Sequence, residues 1–96
     1  MVICAIAICL VTFLFLQGSP DGAELFKNQG CMNCHSFKGK GGETGPDLTE
    51  VTRRRNDGWI RDQIKDPKRH NPGARMPGFG YLSHRQISAI IRYLKS

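Results

Sequence analysis

At 96 residues the chain has room for one small domain, which excludes a large multi-layer enzyme. It carries 14 Lys+Arg against 8 Asp+Glu, a formal charge of +6, and the first charged side chain is Asp21. Much of the 40% hydrophobic share sits between Val2 and Leu16, so the polar remainder is apolar-poor, and with four Cys in the chain a covalent or metal staple is expected.

Met1 to Leu16 reads MVICAIAICLVTFLFL, without charge or Pro, and gives way at once to the polar breaker Gln17-Gly18-Ser19-Pro20-Asp21-Gly22. As a helix this run would span about 24 Å, a little short of the roughly 30 Å hydrocarbon core. Residues 1–18 are therefore expected to be a transmembrane anchor or a signal peptide, and 19–96 a separate folded domain. No Lys or Arg precedes the run and no A-x-A-like triplet follows it, which favours a retained anchor. Ile8 stands where a lipoprotein signal wants a small residue before Cys9, so Cys4 and Cys9 read as small apolar membrane residues. Either reading exports the polar body.

Three helices follow. The first runs from Asp21 to about Gln29, with Asp21 and Glu24 in its opening turn and Gly30 as a stop. The second covers about Asp57 to Lys65, with Asp57 as cap and Asp66-Pro67 as terminator. The third, Ser83 to Leu94, opens with a Ser83/Gln86 capping box and carries Ile87, Ile90, Ile91 and Leu94 at i, i+3, i+4 and i+7. Between them lie two Gly- and Pro-rich loops, Gly39 to Asp47 and Asp66 to Gly80, long enough to need something to fold around. No alternating apolar and polar run of useful length appears, so no sheet is expected and the fold class is all-α.

Gly30-Cys31-Met32-Asn33-Cys34-His35 contains Cys-x-x-Cys-His, the attachment signature of c-type haem. Two thiols at this spacing, on a turn leading into helix, can each form a thioether with one vinyl group of a single haem, and the next imidazole then lies under the iron. Three other readings of the two Cys fare worse. A redox pair would be expected near a βαβ pattern, a zinc site would need a second ligand pair, and a plain disulfide would leave His35 incidental.

Residues 21–96 resemble the class I monohaem cytochromes c through three segments in order: Cys31-x-x-Cys34-His35, Thr44-Gly45-Pro46-Asp47-Leu48, and Arg75-Met76-Pro77-Gly78-Phe79. The resemblance implies three main helices wrapped around one covalent haem c. It implies Cys31 and Cys34 as attachment points, His35 and Met76 as axial iron ligands, and the Pro46 carbonyl as orienter of His35. It also implies Phe26 with Leu94 or Tyr93 at a crossing of the first and last helices, and pocket support from Trp59, Leu48, Pro77 and Phe79. Met76 sits between Arg75 and Pro77-Gly78 in a loop, where a rigidly placed ligand fits better than a core filler. Met32 lies at a spacer position that usually points away from the iron. His70 is the rival distal ligand, otherwise a solvated member of the basic stretch, and His84 is expected to be exposed after its cap.

With both axial positions filled, no open site remains for substrate, which implies a non-catalytic electron carrier; a thioether ligand raises the potential relative to a second imidazole. The densest basic runs, Arg53-Arg54-Arg55 and Lys65-Lys68-Arg69, are candidate docking groups for acidic redox partners, or simply a solvated face. Nucleic acid is not expected as a partner. The expected place is a bacterial cytoplasmic membrane, haem domain on the periplasmic or outer face, or the soluble periplasm if the leader is cleaved. Two other functions stay open: a fixed cytochrome subunit of a larger membrane oxidoreductase, and a haem-based gas sensor in which Met76 leaves the iron.

Overall fold

The computed structural model describes residues 20–96. The expected anchor or signal at 1–18 lies outside the described residues, and among those described no helix is long and apolar enough to cross a membrane. In chain order the elements are α1 Gly22–Asn28, α2 Cys31–Cys34, β1 Ser36–Phe37, β2 Lys40–Gly41, α3 Val51–Arg54, α4 Asp57–Lys65, a 3-10 turn Pro67–Arg69, and α5 His84–Leu94. The three expected helices are thus present as α1, α4 and α5, with two single-turn helices between them.

Helix α5 owes its definition to its cap and its stripe. The Ser83 hydroxyl accepts from the Gln86 amide at 3.1 Å while the Gln86 side chain accepts from the Ser83 amide at 2.8 Å. Ile87, Ile90, Ile91 and Leu94 are all buried, and Ile87 is fully so. Each such side chain removed from water contributes about 1.5–3 kcal/mol. Helix α1 lies across this stripe, and its Phe26 ring meets the Tyr93 ring at 5.5 Å between centroids; Phe37 completes the cluster, 5.0 Å from Tyr93 and 6.1 Å from Phe26. Phe26, Leu94 and Tyr93 all take part in the crossing, as the resemblance implied.

Glycine makes that crossing close. A Cβ at Gly22 would stand 2.0 Å from the carbonyl oxygen of Ala89 and 2.9 Å from the Tyr93 Cβ, so the two helices touch backbone to backbone there. Helix α4 is tied to α5 by polar contacts: the Arg61 guanidinium donates to the His84 carbonyl at 3.2 Å and to the Ser88 hydroxyl at 2.8 Å, and Lys95 pairs with Asp57 at 2.8 Å.

Three local expectations need correction. Asp21 is the N-cap of α1 rather than part of its first turn, accepting from the amides of Ala23 and Glu24. The cap of α4 is Asn56 rather than Asp57; its side-chain oxygen accepts from the Trp59 amide at 2.8 Å, leaving Asp57 free to pair with Lys95. A small antiparallel hairpin exists where no sheet was expected, pairing Ser36 with Gly41 and Phe37 with Lys40. Its two-residue turn, Lys38-Gly39, has positive φ at both positions (52° and 82°), the geometry that matches strand twist. Strands of two residues are too short to leave an alternating pattern in the sequence.

Candidate haem-binding site

The elements surround a cavity of about 830 Å³, within the range of small-molecule and cofactor sites. Cys31, Cys34, His35 and Met76 all line it. So do the five residues expected as pocket support, Pro46, Leu48, Trp59, Pro77 and Phe79. Cys31 and Cys34 are free thiols at opposite ends of the single turn α2, with Gly30 in a left-handed conformation (φ 79°) setting its start. Burial pushes the Cys31 thiol up, with a backbone hydrogen bond pulling the other way.

His35 follows α2 and is held from two sides. Its Nδ1 lies 2.8 Å from the Pro46 carbonyl oxygen. A carbonyl only accepts, so Nδ1 carries the proton and the Nε2 lone pair is left free for a metal. Gly45 presses on the ring itself: a Cβ there would stand 2.6 Å from Cε1 and 2.8 Å from Nδ1. The Gly39 to Asp47 loop is pinned against the motif by Gly42 N–H to the Met32 carbonyl (2.8 Å), Gly45 N–H to the Cys34 carbonyl (2.6 Å) and Leu48 N–H to the Ser36 carbonyl (2.8 Å). Asp47 closes it. Hydrogen bonds from the Thr49 hydroxyl and amide, then Ser36 and the charge of Arg54, hold its carboxyl below the usual carboxylate range.

The second loop brings in Met76 from the other direction. Phe79 N–H donates to the Ile64 carbonyl at 2.8 Å, and Phe79 is buried, which anchors the Met76-Pro77-Gly78 segment to the end of α4. The Met76 sulfur accepts from the Gln63 amide nitrogen at 3.6 Å, and Gln63 in turn accepts from His70 Nδ1 at 2.8 Å. His70 is not merely solvated as expected: its ring stacks on Trp59 at 4.2 Å with an interplanar angle of 2°. Unlike Met76, it does not line the cavity. Met32 is half-buried against the core and also stands outside the cavity lining, while His84 is exposed.

The basic residues divide. Arg54 and Arg55 line the cavity, Arg54 donating to the Asp47 carbonyl at 3.3 Å and Arg55 lying 4.3 Å over the Trp59 ring. Arg53 pairs with Glu50 at 3.1 Å and Arg69 with Asp62 at 3.6 Å, and neither they nor Lys65 and Lys68 reach the cavity. Arg75, seen in the sequence only as a neighbour of Met76, is a third arginine on the cavity wall. Gly45, quoted in the sequence only as part of the segment around Pro46, and Gln63 are the contributors to which sequence reasoning gave no role of their own. The Gly45-Pro46 pair next to Asp47 was a usable signal for the first; nothing local marks the second.

This donor set fits a c-type haem: two thiols one turn apart, an imidazole with its Nδ1 proton already committed, and a thioether all face one apolar-walled space. Comparison with known proteins agrees. The family model described as Cytochrome c matches residues 19–96. The chain is 30% identical over 84 residues to cytochrome c oxidase subunit 2 of Alkalihalophilus pseudofirmus, covering 79% of this chain and 25% of that one. It is 28% identical over 91 residues to the same subunit of Bacillus subtilis, covering 80% and 26%. A Cbb3-type cytochrome c oxidase subunit CcoP of Helicobacter pylori is 32% identical over 78 residues, covering 78% and 26%. The chain thus spans about a quarter of the length of these relatives. Family model and site geometry lead to one conclusion: the chain belongs to the cytochrome c family, whose domain carries covalently bound haem c with its iron.

Proposed function

We propose that the chain transfers single electrons through one haem c held by thioether bonds to Cys31 and Cys34 and by His35 and Met76 as axial ligands. The observation that carries this reading is the convergence of those four side chains on one cavity, with the His35 Nδ1 proton taken up by the Pro46 carbonyl. Bound there, the haem supplies a one-electron ferric/ferrous couple. The protein's own residues do the rest. Pro46 and Gly45 fix the imidazole in the tautomer whose Nε2 can ligate, as outer-sphere partners of metal-bound His generally do. Leu48, Ile60, Phe79 and Leu94 give the cavity an apolar wall, which excludes water and favours the less charged form of the group within. Arg54, Arg55 and Arg75 place positive charge at the cavity and suit an acidic redox partner.

The location we infer is the outer face of a bacterial cytoplasmic membrane, reached through the apolar segment 1–18. The names of the relatives favour one refinement: a cytochrome unit that works docked in a membrane oxidase rather than as a roving carrier. The short stretch Gln17 to Pro20 between the apolar run and α1 points the same way, because it would keep the domain close to the lipid.

Met76→Ala tests the site. The variant should show a lowered potential and should bind carbon monoxide when reduced, whereas the native protein should not. Unchanged optical and redox behaviour would remove Met76 from the iron. Carbon monoxide binding to the native protein at neutral pH would favour a sensor instead. Intact mass of the membrane fraction tests the remainder: chain plus one haem is expected there, co-purifying in fixed ratio with an oxidase if the docked reading holds.

A further inference from the structure

Gln63 stands between two groups that the proposed electron-transfer site does not otherwise connect. Its amide nitrogen lies 3.6 Å from the Met76 sulfur and its amide oxygen 2.8 Å from His70 Nδ1. The oxygen can only accept, so His70 must donate from Nδ1, and the neutral Nδ1–H tautomer and the imidazolium both do so. That bond decides which way the Gln63 amide faces. With its oxygen held by His70, its NH2 group is turned to the sulfur.

His70 is itself fixed, although it is exposed on a loop. Its ring lies flat on Trp59, 4.2 Å between centroids, and Arg55 rests on the same indole at 4.3 Å. Arg69, the residue before it, is drawn to Asp62 at 3.6 Å, and the His70 amide bonds the Pro67 carbonyl at 3.2 Å. The column Trp59, His70, Gln63 therefore ends on the thioether and begins on helix α4. A thioether sulfur has two lone pairs. A hydrogen bond to one leaves the other for the iron, fixing the side of the sulfur that ligates, and draws electron density from the sulfur.

We infer that Gln63 is a positioning residue for the Met76 thioether and that His70, stacked on Trp59, holds Gln63 in that role and so raises the potential of the couple. The inference rests on Met76 being an iron ligand. Electron withdrawal from the sulfur disfavours the electron-poor ferric state more than the ferrous, so loss of the Gln63 donor moves the equilibrium toward ferric.

The test is a double-mutant cycle on the haem-loaded full chain, with Gln63→Leu, His70→Ala and the pair, read by the reduction potential and by displacement of Met76 with added imidazole. Gln63→Leu should shift the redox equilibrium three- to tenfold toward ferric, about 30–60 mV for a one-electron couple, and make imidazole bind more readily. His70→Ala removes an exposed ring and little packing, so it should fold. It should move both readings in the same direction, and the double variant should go no further than Gln63→Leu alone. Additive shifts, or a His70→Ala protein with native potential and imidazole affinity, would overturn the relay. A native potential in Gln63→Leu would overturn the positioning role outright. Met76→Ala run in parallel separates the two levels, since a native potential there removes the ligand itself rather than its support.

Discussion

Gly22→Ala sets two physical arguments against each other with opposite signs. By helix propensity alone, Ala in place of Gly should stabilise α1 by up to about 1 kcal/mol. The packing argument says otherwise. The new Cβ would lie 2.0 Å from the Ala89 carbonyl oxygen, 2.7 Å from the carbon of that carbonyl and 2.9 Å from the Tyr93 Cβ. Two of these three atoms are backbone of α5, which cannot rotate away, so the helices must separate by on the order of 1 Å, a gap that forfeits a quarter to a half of each dispersion contact along the seam. Overpacking of this kind costs about 1–3 kcal/mol. The Phe26–Tyr93 ring contact lies on the seam and Phe37 packs beside it, so the upper half of that range applies and the net loss after the propensity gain is about 1–2 kcal/mol. For a domain of this size that is a thermal midpoint lower by roughly 4–16 °C, measured by circular dichroism on the haem-loaded protein. Ala23→Gly, at the exposed neighbouring position, is the control and should cost only about 0.5–1 kcal/mol. A Gly22→Ala protein with an unchanged or higher midpoint would refute the close-approach argument.

Ser83→Ala should remove half of the capping box of α5 and cost about 0.5–2 kcal/mol, read as a lower urea midpoint with an unchanged slope. Gly45→Ala should push the His35 ring off the Pro46 carbonyl, because the added carbon would meet the imidazole at 2.6 Å; a native low-spin optical spectrum in that variant would contradict it. Asp47 carries a pH dependence. Its carboxyl is held below the ordinary range in the folded protein by the Thr49 hydrogen bonds and, less, by Ser36 and Arg54, so its contribution is present above the unfolded value near pH 4 and is lost as pH falls through the depressed folded value. Asp47→Asn should therefore flatten the acid side of the stability profile, measured as unfolding midpoint from about pH 5 down to pH 2.

What could be read from the sequence follows from the range of the interactions involved. The α5 cap and stripe were legible because Ser83, Gln86 and the four apolar positions lie within a single helix. The range of α4 was equally plain, but its cap was misplaced by one residue, since Asn56 and Asp57 are both good caps and only the backbone decides which side chain reaches the Trp59 amide. The three motif segments named the groups around the cavity because each packs its chemistry into five or six consecutive residues. Gly22 against Ala89 and Trp59 under His70 were not legible; each is a contact between segments whose approach no local pattern records. The short helix Val51–Arg54 escaped for another reason, since one turn carries no period to detect.

The seam between α1 and α5 also bears on the order in which the domain can be made. Gly22 meets Ala89, and Phe26 meets Tyr93, across roughly seventy residues of intervening chain, and closing a loop of that length costs about 4 kcal/mol before any contact repays it. Neither helix is long enough to persist alone in water, α1 having seven residues and α5 eleven. During synthesis the first helix therefore waits, its Phe26 uncovered, until nearly the last described turn has emerged. A haem attached to Cys31 and Cys34 before that point would give the waiting chain an apolar surface to gather on.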